Sequence, residues 1–323
     1  MLRAVLEDCC QLPGLVVRYA WGDRSPPPAT PPNASPVSLT SDRDSGGDFE
    51  KWVRQTDAAL LIAPELDDRL GTLTARAEAC GASLLGPSAA TIRAAADKLE
   101  LPVRLAACGV PALPAVRLDG GGAWVTHFPT ADFPTRPVET GWVAKPRYGA
   151  GATAVEFVTD PSLAPRPHHR ELIVTPYVEG KAVSVAVLVG PQQALPLAPC
   201  TQQIRGGTPQ RPEFSYHGGR LPLPAADVER AQDLALRAVA SFPQLRGFVG
   251  VDLILATRSA DDVVVEINPR LTSSYLGLRA FTSANLSGLW LDIMAKRTAP
   301  APTWLPGNVE FSADGRVEVL ERC

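Results

Sequence analysis

GFVGVDLIL (residues 247–255) and VVVEINPRL (residues 263–271) are largely apolar runs that carry Asp252, Glu266, Asn268 and Arg270 and are joined across a polar turn at Arg258–Asp262. Their β-branched content and short length read as two strands of a hairpin. Glu266 and Asn268 are two apart on one strand, so their side chains share a face. On the partner strand Asp252 falls nearly opposite them, within reach across the ladder. Two carboxylates and an amide oxygen thus converge on one point. Burying carboxylates inside apolar strands is costly unless positive charge compensates them.

Hard oxygen donors of this kind suit Mg²⁺ or Mn²⁺, which keeps its other positions for water and nucleotide phosphates. The competing reading leaves Asp252 and Glu266 solvated or paired with Arg270 and Arg279. Both flanking runs are too apolar for a wet face, which favours the cation.

A second stretch, WVAKPRYGAGATAVEFV (residues 142–158), places Lys145 at a strand end and leads into a loop holding Gly149 and Gly151. The chain is expected to re-enter a strand at Ala154. Glycine lets backbone amides approach a phosphate closely, and the lysine supplies matching charge. No G-K-[ST] precedes a helix, so this is not a Walker A loop; alone, it reads equally well as a structural turn. A third stretch, ELIVTPYVEGKAVSVAVLV (residues 171–189), reads as strand, polar link and strand. By itself it is a β-hairpin, although such a link can also present backbone groups to an adenine edge.

Taken in order, DKL (residues 97–99), AKPRYGAGA, VTPYVEGKAVSV, GVDL and EINPRLTSSYLGLR (residues 266–279) resemble the ATP-grasp superfamily over nearly the whole chain. The resemblance implies a small doubly wound α/β N-terminal domain followed by an ATP-grasp fold of two α+β subdomains. The expected division is 1–95 for the leading domain, 96–175 for the subdomain with the phosphate loop, and 176–323 for the subdomain with the metal and substrate site. It further implies ATP and Mg²⁺ or Mn²⁺ as cofactors. Lys98, Lys145, Gly149, Gly151 and Ala152 would meet phosphates, Pro176, Tyr177 and Val178 the adenine, and Asp252, Glu266 and Asn268 the metal. Lys145 and Arg270 would be the catalytic cations, Arg270 facing the γ-phosphate or an acyl phosphate. Many members carry a glutamate two residues after the hinge glycine to hold the ribose; here that residue is Ala182, and Glu179 is the candidate substitute.

Within the superfamily, NPRLTSSYLGLR, the QQI segment closing in YHGG and the small leading domain are similar to tyramine–glutamate or tyrosine–glutamate ligases of methanofuran-type cofactor biosynthesis. That similarity implies an ADP-forming ligase joining the γ-carboxylate of glutamate to an amine through an acyl phosphate. The alternatives are another ATP-grasp ligase or carboxylase-type enzyme, or a non-catalytic nucleotide-binding module. Thr201–Pro224 reads as a long Gly- and Pro-rich substrate loop or a plain surface excursion. Gln203 and Arg205 are its substrate candidates, Arg211 and Arg220 are further carboxylate clamps, and Ser273, Ser274 and Tyr275 are expected at the mouth of the site. His217 is within reach of substrate, whereas His127, His168 and His169 read as solvated loop residues.

The rest of the chain fits an enzyme of small molecules. Its 323 residues exceed one minimal domain, 45% are apolar and 20% charged, and the formal net charge is -3. No charge block argues for nucleic acid or an anionic membrane, and no apolar run reaches the length of a membrane span. The six scattered cysteines lack zinc-ligand spacing and read as reduced thiols, with Cys9 and Cys10 in a loop. The expectation is a cytoplasmic enzyme whose partners are a carboxylic acid and an amine, with a homodimer permitted. Along the leading domain, Leu2–Leu6 and Leu15–Val17 are apolar runs, the proline-rich Ser25–Pro36 reads as a surface excursion, and Ala58–Ile62 and Ala82–Leu85 read as strands flanking a helix over Leu66–Cys80. Ser88 is the expected N-cap of a helix over Ala89–Leu99. Beyond Val116, short strands dominate, interrupted by a helix at Val228–Phe242.

Overall fold

In a computed structural model, the protein is described over residues 1–22, 31, 33–39, 48–64, 66–118, 124–126, 141–160 and 171–320. His127, His168, His169 and Cys323 lie outside the described residues, as does most of the proline-rich stretch.

The leading region opens with α1 (Leu2–Cys10), so Cys9 and Cys10 occupy a helical turn and not a loop. Its apolar face, Val5 and Leu6 among it, is buried. β1 (Val17–Gly22) and β2 (Ala34–Leu39) pair in parallel as a two-stranded sheet. β2 takes in Pro36, so the last residues of the expected surface excursion enter a strand at a sheet edge. A proline is tolerated where its missing N–H faces no further strand. After α2 (Asp48–Val53), the two expected strands contract to a single parallel bridge, Ala59 to Leu84, on either side of α3 (Arg69–Ala79). Ser88 caps α4 (Ala89–Ala96) by accepting from the Thr91 amide. The helix stops early because Asp97 is extended, and α5 (Leu101–Ala107) follows.

Two antiparallel sheets then face each other. The five-stranded sheet runs β4 (Trp124–Thr126), β3 (Val116–Leu118), β7 (Leu172–Pro176), β5 (Trp142–Pro146), β6 (Glu156–Val158). The eight-stranded sheet runs β13 (Val263–Asn268), β12 (Gly247–Leu255), β8 (Lys181–Val189), β10 (Cys200–Arg205), β11 (Ser215–Leu221), β14 (Asn308–Ser312), β15 (Val317–Leu320), with β9 (Ala194–Pro196) on β8. β7 and β8 therefore belong to different sheets, and residues 177–180 form a crossing between them, not a hairpin turn. Gly180 is needed there, since a Cβ would come 2.7 Å from the Leu255 carbonyl oxygen.

The supposed loop at Thr201–Pro224 is largely β10 and β11, and within it residues 206–214 and 222–224 lie outside those strands. This connection reaches the other sheet: Phe157 N–H donates to Pro212 O at 2.8 Å and Phe214 N–H to Val155 O at 2.9 Å. Besides α6 (Ala225–Ala240), whose inner face packs on β8 and β12, two further helices interrupt the strands, α7 (Ser274–Ala280) and α8 (Leu286–Met294). Tyr275 on α7 is fully buried, its hydroxyl bonded to Asp8 and Ser287, and Arg279 grips Asp8 and Glu7. α1 is thereby fixed to α7.

Candidate active site

A cavity of about 270 Å³ lies between the two sheets. Its floor is the β12–β13 ladder, in which Asp252 pairs directly with Glu266 and Gly250 with Asn268. Asn268 donates to Asp252 at 3.0 Å and to Glu266 at 3.3 Å, and Ser184 on β8 also bonds Asp252. Burial and the neighbouring Glu266 charge push the Asp252 carboxyl well above its usual range. Burial would raise Glu266 as well, but Lys98 and Lys145 outweigh it and hold that carboxyl low. Two half-buried carboxylates meeting at one point fit a hard divalent cation. Among the described residues no group of three His, Cys, Asp or Glu is placed to hold a metal ion, so the third ligand would be the Asn268 side-chain oxygen, which here accepts from Arg270 while the amide nitrogen faces the carboxylates.

Two lysines stand above this floor. Lys98, between α4 and α5, lies 3.3 Å from Glu266 and donates to the Gly149 carbonyl at 2.8 Å. Lys145 at the end of β5 is 6% exposed, and burial pushes its ammonium down to about 8 despite the opposing pull of Glu266. Gly149, Gly151 and Ala152 line the cavity, with Gly151 and Ala152 both at positive φ. That turn continues through Ala154, also at positive φ, so the strand resumes only at Glu156. Asp97 holds the near end of the loop. It accepts two bonds from Arg147 and one from Tyr148, and it takes the Leu99 amide at 3.1 Å.

At the crossing, Pro176, Tyr177 and Val178 line the cavity beside Val143, Ala182 and Ile254. Glu179 is exposed and absent from the lining, which leaves Ala182 without a nearby carboxylate substitute from that residue. Arg270 lines the cavity and donates to the Asn268 side-chain oxygen at 3.2 Å.

The substrate candidates divide. Ser273 and Ser274 line the cavity; Tyr275 does not, because one step along α7 turns its side chain into the core against Asp8. Gln203 and Arg205 are also outside the lining, which takes Gln202 and Ile204 instead, the alternate positions of β10. Neither Arg211 nor Arg220 reaches the cavity, and Arg220 pairs with Glu310. His217 bonds Ser215 outside it. Arg279 serves α1, so it is no partner of the acidic pair. Residues missed from sequence include Ser184, Cys200, Phe214, Tyr216 and Thr272. Period-two alternation along β8, β10 and β11 could have found those on strands once both runs near 200–221 were read as strands.

The family model described as the ATP-grasp domain matches residues 95–274, and the pre ATP-grasp 3 domain matches residues 17–92. A tyramine–L-glutamate ligase from Methanocaldococcus fervens is 26% identical over 226 residues, covering 69% of this chain. The match spans 62% of that ligase's length. Among solved structures, an ATP-grasp superfamily protein from Archaeoglobus fulgidus aligns with TM-score 0.63 and 24% identity over 90% of this chain and 82% of its own. The biotin carboxylase domain of the Hydrogenobacter thermophilus 2-oxoglutarate carboxylase, solved with MgADP, ADP and bicarbonate, aligns at 0.69 and 14% over 95% and 71%. Paired sheets, an acidic ladder floor, two lysines and a glycine loop around one cavity agree with those matches: the chain belongs to the ATP-grasp family, with a pre-ATP-grasp domain ahead of the grasp.

Proposed function

We propose that the protein is an ATP-dependent ligase that activates a carboxylate as its acyl phosphate and joins it to an amine, releasing ADP. The observation that carries this reading is the convergence of Asp252, Glu266 and Asn268 with Lys98, Lys145 and Arg270 on one cavity. Adenine would lie at Pro176–Val178, where the crossing exposes backbone groups beside apolar side chains. Lys98, Lys145 and the Gly149–Ala152 loop would take the phosphates. Asp252, Glu266 and Asn268 would hold Mg²⁺ or Mn²⁺, which supplies charge neutralisation between phosphate oxygens.

A substrate carboxylate oxygen attacks the γ-phosphorus and ADP leaves. The amine then attacks the acyl carbon, phosphate departs, and the amine gives up a proton. Such a reaction asks the protein for position and fixed charge. Arg270, tethered to Asn268, would meet the transferring group, and Lys145 would offset charge building on it. By likeness to the Methanocaldococcus ligase, the acid is glutamate, reacting at its γ-carboxylate, and the amine is tyramine or tyrosine in methanofuran-type biosynthesis. The test is ADP release with ATP, Mg²⁺, glutamate and a panel of amines, with Glu266→Ala in parallel. Amine-dependent turnover abolished by that substitution supports the ligase; tight ATP binding without turnover on any pair favours a non-catalytic nucleotide-binding module.

A further inference from the structure

Between the crossing and the acidic floor, the eight-stranded sheet turns one rung of side chains into the cavity. In the β8–β12 register Asp252 stands beside Ser184 and Ile254 beside Ala182. Across β8, Cys200 of β10 pairs with Ser184 and Thr201 with Val183, and one more step sets Gln202 beside Ala182. Asp252, Ser184 and Cys200 line the cavity, and so do Ile254, Ala182 and Gln202. These are two parallel rungs about 7 Å apart, because side chains two residues apart on a strand share a face. The first rung belongs to the floor. Lys181 opens β8 directly after residues 177–180, so the Ile254–Ala182–Gln202 rung lies on the crossing side of that floor.

The far end of β10 stays close to the crossing. Residues 206–214 continue from it, and there Pro212 O accepts from the Phe157 amide at 2.8 Å while the Phe157 ring meets Tyr177 edge-on, centroids 5.5 Å apart. On the rung itself Ile254 and Ala182 offer hydrocarbon, and Gln202 carries the polar group. Its amide is half-buried, and among the described residues no hydrogen bond engages it. An unpartnered amide on a cavity wall presents an acceptor oxygen and a donor nitrogen for a ligand to satisfy.

We infer that Gln202 holds the ribose of the nucleotide, its oxygen accepting from one sugar hydroxyl and its nitrogen donating to the other. This assignment rests on the nucleotide reading of the cavity: with adenine at the crossing and phosphates over the floor, the sugar must pass this rung. Each hydroxyl of a vicinal diol both donates and accepts, so a neutral amide meets the pair without adding charge. A carboxylate could only accept, and it would bring another negative charge toward the acidic floor, opposing the triphosphate. Gln202 thus supplies from β10 what the Ala182 methyl cannot supply from β8, and it selects an intact ribose over a deoxy sugar.

The test titrates ADP, 2′-deoxy-ADP and 2′,3′-dideoxy-ADP into the full chain with Mg²⁺ by calorimetry. Wild type should bind ADP about 3- to 10-fold more tightly than the 2′-deoxy form and more tightly again than the dideoxy form, the factor a neutral hydrogen bond carries. Gln202→Ala should bring ADP down toward the dideoxy form and leave the dideoxy form nearly unchanged, a cancellation expected of a direct contact. Gln202→Glu, which keeps acceptor oxygens, should restore part of the preference for ADP. Gln203→Ala, exposed and outside the cavity lining, should keep all of it. Equal wild-type affinity for the three nucleotides, or a Gln202→Ala variant that weakens all three alike, overturns the inference. Failure of ADP itself to bind refutes the nucleotide reading beneath it, whereas ADP binding that ignores the sugar hydroxyls refutes the role of Gln202 alone.

Discussion

Lys98 Nζ lies 3.3 Å from Glu266 Oε2 while donating a 2.8 Å hydrogen bond to the Gly149 carbonyl. One ammonium thus joins the acidic floor to the glycine loop, from a position outside both sheets. Charge-assisted hydrogen bonds of this kind are worth roughly 1.5–3 kcal/mol. Lys98→Met should therefore weaken nucleotide binding roughly 10- to 100-fold, read as the ADP dissociation constant in a Mg²⁺-containing titration. Unchanged affinity would remove Lys98 from the phosphate site.

The carboxylate pair should make nucleotide binding depend on a divalent ion. EDTA is expected to lower ATP affinity in the wild type, and Mg²⁺ or Mn²⁺ to restore it. Glu266→Gln and Asp252→Asn should abolish that dependence while retaining the fold. An EDTA-insensitive wild type would end the metal assignment.

Asp97 gives a pH signature. Burial opposes its charge, but Arg147, Tyr148 and the Leu99 amide together hold the carboxyl below its usual value. A depressed folded pKa contributes stability that is full above the unfolded value of about 3.9 and is lost as pH falls through the folded value. Asp97→Asn should thus be less stable than wild type at pH 7, and the two denaturant midpoints should converge below about pH 4. A gap that stays constant down to pH 3 would contradict this.

The α1–α7 junction should dominate the stability of the leading region. Asp8→Ala leaves Arg279 and the buried Tyr275 hydroxyl without their shared partner, a loss of about 3 kcal/mol. Tyr275→Phe removes one hydroxyl from the same cluster and should cost nearer 1 kcal/mol. Urea midpoints of the two variants check both, and equal effects would show that Arg279 contributes nothing to the difference.

The acidic floor was legible because Asp252, Glu266 and Asn268 sit at fixed alternation in an obvious hairpin, and the glycine loop and crossing carry short local signals. What escaped was set by distant partners. Tyr275 follows two cavity serines in sequence, yet Asp8, far away in the chain, draws it into the core. The 201–224 segment looked like a loop since its glycines and prolines hide two strands whose pairing is with β8 and β14. Missing that pairing put Gln203 and Arg205 on the cavity side, where strand alternation places Gln202 and Ile204. The runs at 58–62 and 82–85 are apolar enough for strands but meet only at one bridge.

The two amide bonds from Phe157 to Pro212 and from Phe214 to Val155 stitch the sheets together beside the residue 177–180 crossing, where the Phe157 and Tyr177 rings meet edge-on with centroids 5.5 Å apart. Any widening of the gap between the sheets at that point requires both stitches to part, so deuterium uptake at these two amides counts each opening of the jaw. Occupancy by nucleotide and amine should slow that uptake together, turning a pair of backbone protons into a clock for the enzyme's working cycle.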